Sequence, residues 1–148
     1  LKIMHKNLLL SIQPRIVKEI VNGTKIFEFR KKLPQMDNSE ISKTIVIYCS
    51  SPKMQIFGSF KIGRYFHADF EQLMTEVNAI ESYKKRISKY FKDKSSCHAM
   101  EITELNIYDA PLGLYKLREK FPGFVPGQSY RYLDEKIANL IIELNGAL

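Results

Sequence analysis

The chain has 148 residues, 45% of them hydrophobic and 26% charged, a size and balance that fit one globular domain whose core needs no disulfide or metal staple. No stretch approaches the roughly 18 uninterrupted apolar residues of a membrane-spanning helix, so no membrane partner is expected. The 23 Lys and Arg against 16 Asp and Glu leave a net charge of +7, which favours polyanionic partners.

Residues 1–6 read as a mobile end or a cloning remnant ahead of the fold. Asn7 to Ile12 reads as a buried strand; its run Leu8-Leu9-Leu10-Ser11-Ile12 is too short for a secretory signal and leads into a helix, so a cytoplasmic address is expected. Gln13-Pro14 opens that helix, with proline where its missing N–H is harmless. Ile16, Val17, Ile20 and Val21 recur at helical spacing, and Asn22-Gly23 supplies a left-handed stop. In the strand Lys25 to Arg30, Phe27 and Phe29 take one face and Glu28 and Arg30 the other. Lys25 would fall on the opposite face of a regular strand, so it joins Glu28 and Arg30 only if the strand starts after it or bulges there.

Lys31 to Ser42 reads as an exposed loop and Thr44 to Cys49 as a β-branched strand closed by the turn Ser50-Ser51-Pro52. Gln55 to Ile62 is the next strand, in which Gly58 marks a bulge or the close approach of another backbone. From Asp69 the pattern turns helical, with Phe70, Leu73, Met74 and Val77 on one stripe. A second helix, Ser82 to Phe91, carries a basic cluster. His98 to Tyr108 returns to strand, Leu112 to Lys120 forms a short helix, Phe121 to Gln128 is rich in Pro and Gly, and Tyr130 to Leu133 pairs again. Asp134 caps a last helix that runs to Leu144 and stops at Gly146. The order is α+β, and five or six strands suit a small closed or nearly closed barrel with flanking helices.

Gly23-Thr24-Lys25-Ile26-Phe27-Glu28-Phe29-Arg30 fits G-x-K-x-x-E-x-R, and it resembles the signature of the ASCH family of PUA-like domains. Leu8 to Pro14 ahead of it and Ile45 to Pro52 after it are similar to the family's first strand and helix and its second strand with a serine turn. Pro126 to Leu133 is similar to the closing segment of members described as predicted transcriptional regulators. The resemblance implies a PUA-like β-barrel spanning residues 1–148 as a single domain, with a cleft beside the first helix floored by Lys25, Glu28 and Arg30. It also implies RNA-linked roles, since related domains bind modified RNA or take up single nucleobases. One ASCH branch deacylates acylated cytosine nucleosides with a lysine beside a threonine; the matching position here is Glu28, and Thr24 lies on the other side of Lys25. A ribonuclease activity is proposed within the superfamily, but no complete catalytic set for it maps onto this sequence.

These readings combine into an expected RNA- or nucleotide-binding module that regulates transcription or translation. Its cleft would be built from Lys25, Glu28, Arg30, Tyr48, Ser50, Ser51, Gln128, Ser129 and Tyr130. There Glu28 would accept from a base's exocyclic amine, Arg30 donate to a carbonyl or phosphate, and Tyr48 stack. The alternative to a ligand site is a salt-bridge network that stiffens the barrel mouth. Lys84, Lys85, Arg86, Lys89, Lys92 and Lys94 would track phosphates, with Tyr83 and Tyr90 available for stacking; a plain solvated helix face is the competing reading. The runner-up function is a small hydrolase of a modified nucleoside or RNA, with Lys25, its pKa lowered by desolvation, as base and Glu28 orienting water. Ser11, Thr24, Ser50, Ser51 and Ser129 are equal candidates for its nucleophile. His5, His67 and His98 are scattered, Cys49 and Cys97 are distant and read as reduced core thiols, and neither a metal nor a cofactor is expected.

Overall fold

A computed structural model describes residues 5–92 and 95–148. Its strands are β1 (Lys6–Ile12), β2 (Phe27–Arg30), β3 (Ile41–Cys49), β4 (Gln55–Ala68), β5 (Cys97–Gly113) and β6 (Tyr130–Tyr132). Its helices are α1 (Pro14–Val21), α2 (Phe70–Glu76), α3 (Glu81–Phe91), α4 (Leu114–Lys120) and α5 (Glu135–Asn145). Lys6 already belongs to β1, while residues 1–4 lie outside the described residues.

The six strands form one curled sheet in the order β2-β5-β4-β3-β1-β6, an α+β half-barrel. All neighbours are antiparallel except β1 and β3, which run parallel and are joined by a crossover through α1 and β2. The long strands β4 and β5 form the spine of the sheet. Both exceed what periodicity alone indicates: β4 continues past Ile62 to Ala68, and β5 continues past Tyr108 to Gly113. Their surplus is half-exposed and bulged, with register shifts between Ile62 and Tyr65 on β4 and between Ile107 and Leu112 on β5, so no clean two-residue alternation marks it.

β1 is buried on both faces, which explains its unbroken leucine run. Leu8, Leu10 and Ile12 join Ile45, Ile47, Phe60 and Met100 under α1, whereas Leu9 joins Val46, Tyr48 and Ile56 under α4 and α5. A third cluster places Phe27 and Phe29 of β2 against Leu73 and Met74 of α2 and Ile87 and Phe91 of α3. Alternation along β2 then turns Glu28 and Arg30 to the other side of the sheet. α1 ends at Asn22, and Gly23 takes the left-handed conformation (φ +80°) that reverses the chain into β2. Asp69 caps α2 by accepting from the backbone N–H of Gln72, and Asp134 caps α5 by accepting from that of Lys136.

β2 and β6 are the two ends of the sheet and are not paired with one another. The guanidinium of Arg30 spans that gap. Its Nη2 donates to the carbonyl of Ser11 in β1 at 3.0 Å and its Nη1 to the carbonyl of Ser129 just before β6 at 3.2 Å. A side chain thus holds together a seam that the backbone leaves open.

Candidate functional site

A cleft of about 430 Å³ opens at this seam. Its walls come from the end of β1 and the start of α1 (Ser11, Gln13, Arg15, Ile16), from α3 (Arg86, Ile87, Tyr90), and from Gln128 and Ser129. Lys25, Glu28 and Arg30 form its floor.

All three floor residues are buried, at 7%, 5% and 8% exposure, which ionic side chains tolerate only when paired. Arg30 donates through Nε (3.0 Å) and Nη2 (2.8 Å) to Glu28 Oε2, and Lys25 Nζ lies 3.3 Å from Glu28 Oε1. β2 begins at Phe27, so Lys25 precedes the strand and escapes its alternation. The Lys25 backbone N–H is held instead by the carbonyl of Glu19 in α1 at 3.0 Å, and its side chain swings to the Glu28 side. Lys25 Nζ also donates to Tyr83 Oη at 3.3 Å and sits 5.6 Å from the centre of the Phe29 ring.

Two cations share one carboxylate, so the buried floor carries a net positive charge. Of the five N–H groups of Arg30, two go to Glu28 and one each to Ser11 and Ser129; of the three on Lys25, one goes to Glu28 and one to Tyr83. Among the described residues, one donor on each cation has no protein partner.

α3 roofs the cleft and is tied to α1 by a two-pronged ion pair, Arg86 Nη1 and Nη2 to the Glu19 carboxylate at 3.0 and 2.7 Å. That pairing holds the Glu19 carboxyl below its ordinary range and raises Arg86 further. Arg86 also lies over the Tyr83 ring at 5.1 Å. Tyr90 receives the backbone N–H of Lys31 on its hydroxyl at 3.1 Å, and burial pushes its own ionisation up.

Of the residues anticipated for the cleft, Lys25, Glu28, Arg30, Gln128 and Ser129 line it. Tyr48 does not: strand parity sends it with Leu9 and Val46 into the core under α4 and α5. Ser50 and Ser51 occupy the turn after β3, where the N–H of Ser50 donates to the carbonyl of Ile12, and Tyr130 packs against the cluster under α1. None of these four lines the cleft. Ser11 lines it, but its hydroxyl already donates to the carbonyl of Gly127 at 2.8 Å, and Thr24 Oγ1 is engaged by Asn22 Oδ1 at 2.7 Å.

Arg15, Arg86 and Tyr90 are polar wall residues that the motifs did not assign to the cleft. The i, i+4 spacing of Arg86 and Tyr90 on one helix face was the available signal. Lys84, Lys85, Arg86 and Lys89 line a second, shallower groove along α3, and Lys84 pairs with Glu81 at 3.3 Å. Lys92 is exposed at the end of α3, and Lys94 lies outside the described residues.

His67 and His98, far apart in the chain, are register partners on β4 and β5 and stack with ring centres 4.0 Å apart. Cys97 and His98 point apart, as strand geometry requires, and both cysteines are buried free thiols. Among the described residues no group of three His, Cys, Asp or Glu side chains is placed to hold a metal ion, and no helix is long and apolar enough to cross a membrane.

No family model and no curated protein sequence matches the chain. Solved structures do. The crystal structure of ASCH from Zymomonas mobilis superposes with a TM-score of 0.77 at 22% identity, covering 96% of this chain and 97% of that one. A point mutant of the same protein gives 0.78 at 23%, covering 95% and 99%. The N-terminal domain of McrB from Staphylothermus marinus gives 0.60 at 9% identity, covering 95% and 94%. The six-stranded half-barrel with its five helices is thus the ASCH fold, in agreement with the motif that runs from Gly23 to Arg30.

Proposed function

We propose that the protein is an RNA- or nucleotide-binding module whose cleft receives a phosphate or a base carbonyl. One observation carries this reading: a buried, net-positive floor of Lys25, Glu28 and Arg30, with a free donor on each cation, lies at the bottom of an open cleft. Buried cations left with unused donors are poor structural devices, because a self-sufficient salt-bridge network would consume them. They are suited to oxygen acceptors, and Arg15 and Arg86 at the walls extend that preference to an anion. Glu28 is committed to Lys25 and Arg30, so its role is to hold two donors in place.

The basic groove on α3 shares Arg86 with the cleft, which lets a polyanion run from one to the other. Among the serines that line the cleft, the Ser11 hydroxyl is engaged by the Gly127 carbonyl and no base among the described residues is placed against the hydroxyl of Ser129, which favours binding over hydrolysis. Two buried free thiols fit a cytoplasmic setting.

The test is binding of short single-stranded RNA, single-stranded DNA and free nucleosides across a salt series. The wild type is run beside Lys25→Gln and a variant with Lys84, Lys85 and Lys89 changed to Gln. Salt-sensitive RNA binding that weakens in both variants supports the reading. Absence of binding at every ionic strength rules it out.

A further inference from the structure

Beyond the Arg30 edge of the cleft lies a second chamber, of about 440 Å³, which the function above does not use. The loop residues Leu33, Pro34 and Met36 form its apolar side, and Tyr65, His67 and His98 form the other. The three rings make a short ladder. Tyr65 and His98 have centres 5.9 Å apart with planes at 30°, and His98 and His67 are 4.0 Å apart with planes at 11°.

The ladder is fixed from both ends. Tyr65 Oη and His98 Nδ1 share a hydrogen bond of 2.5 Å, and His67 Nε2 and Ser96 Oγ one of 3.3 Å. His98 is buried while His67 is exposed, so the stack runs from the interior of the half-barrel to a solvent-facing imidazole. Two imidazoles lying face to face keep their ring nitrogens in near-parallel planes, which does not converge their in-plane lone pairs on one metal ion.

We propose that this ladder is a stacking platform for one unpaired nucleobase, a subsite separate from the cleft. Three features set the chemistry. The exposed imidazole is held flat by the ring beneath it, and unpaired bases stack on aromatic side chains of this kind, histidine included. The polar groups of the chamber include the Asp37 carboxylate and the Gln35 amide, which accept from the N–H groups of a base. Among the described residues that line it there is no Lys or Arg, so the chamber suits the neutral base and not the phosphate.

The proposal extends the nucleotide-binding reading through geometry. Arg30, His98 and His67 are successive register partners across β2, β5 and β4, so about two strand spacings, ~10 Å, separate Arg30 on the cleft floor from His67. One short RNA segment can place a phosphate or carbonyl on the cleft floor and a neighbouring base on His67. The ligand of the whole protein is then an oligonucleotide, not a mononucleotide.

The experiment has two arms. In the first, a tetra-adenylate RNA is titrated against wild type, His67→Ala and His67→Phe. Loss of stacking lowers the affinity of His67→Ala by about 5- to 100-fold, while His67→Phe, which keeps a ring, stays near wild type. In the second, the imidazole C–H resonances of His67 and His98 are followed by NMR while free adenosine is added to wild type and to Lys25→Gln. The His67 signals shift in both proteins, because the ladder does not need the cleft. Unmoved His67 signals, or equal RNA affinity of His67→Ala and wild type, overturn the proposal. Adenosine shifts without any RNA binding leave the ladder standing as a base site and remove the cleft reading instead.

Discussion

Arg30 and Ser129, 99 positions apart in the chain, are joined by a hydrogen bond of 3.2 Å from guanidinium Nη1 to the backbone carbonyl. The same side chain holds Ser11 and Glu28. Replacing it with alanine removes four hydrogen bonds and leaves Glu28 with Lys25 alone. Arg30→Ala is expected to destabilise the fold by about 3 kcal/mol or more, as breaking a buried ion pair does. Arg30→Lys restores only part of this, since an ammonium cannot reach three partners as a planar fork. Urea denaturation midpoints at a constant m-value check both.

Glu28→Gln leaves Lys25 and Arg30 facing each other across a neutral amide. A loss of about 2–4 kcal/mol is expected from the two uncompensated buried cations. The raised positive potential should at the same time strengthen anion binding. Inorganic phosphate at a few millimolar would then raise the melting temperature of Glu28→Gln by more than that of wild type. Equal shifts would mean that the floor does not contact the anion.

Gly58 pairs with Ile107 of β5 beside a register shift. A Cβ there would sit 2.4 Å from the backbone carbonyl oxygen of Asn106, an atom that cannot swing away. Gly58→Ala is expected to cost about 2–3 kcal/mol through displaced strands. Loss of amide protection in hydrogen exchange should concentrate on residues 56–60 and 105–108.

The motif made much of the site legible. Alternation assigns Glu28 and Arg30 to one side of β2 and the two phenylalanines to the other, and that is how the strand packs. The position of Lys25 turned on where the strand begins, a boundary that helix α1 decides through the Glu19 carbonyl and that no local pattern encodes. Tyr48 shows the opposite failure. β3 is buried on both faces, so its apolar run has no readable alternation, and an aromatic in it carries no sign of which side it serves. The His67–His98 stack depends on the register of two bulged strands, which residue spacing does not reveal.

His98 is buried against His67, and desolvation first, then the neighbouring imidazole, lower its pKa from 6.5 to about 4. The unfolded chain therefore binds a proton between those values that the native state refuses. Stability from this group is complete above about pH 6.5 and falls as pH drops towards 4, by up to ~3 kcal/mol. Denaturation series at pH 7 and pH 4.5 on wild type and His98→Asn should show a smaller acid loss in the variant. Tyr65, His67 and Asp37 face the same chamber, so the comparison isolates His98 only as a difference between the two proteins.

Burial raises the ionisation of Cys97 to about 11, and that of Cys49 also lies above its usual value for the same reason. The Cys97 thiol donates to the backbone carbonyl of Arg30 at 3.0 Å and has no exposed surface. Neither thiol should react with a maleimide at pH 7 within the time in which urea-unfolded protein takes up two equivalents. Mass spectrometry of the labelled samples counts them directly.

The seam closed by Arg30 also sets when the cleft comes into being. β3, β4 and β5 meet through antiparallel partners along the chain, but Ser11, Arg30 and Ser129 converge only after the parallel β1–β3 pair and the short β6 have docked. Contacts of such sequence separation are the slow ones to form, because the chain entropy they remove is repaid last. During refolding, the fluorescence of the buried tyrosines should recover ahead of ligand competence, so a captured nucleotide marks the final closure of the sheet and not its collapse.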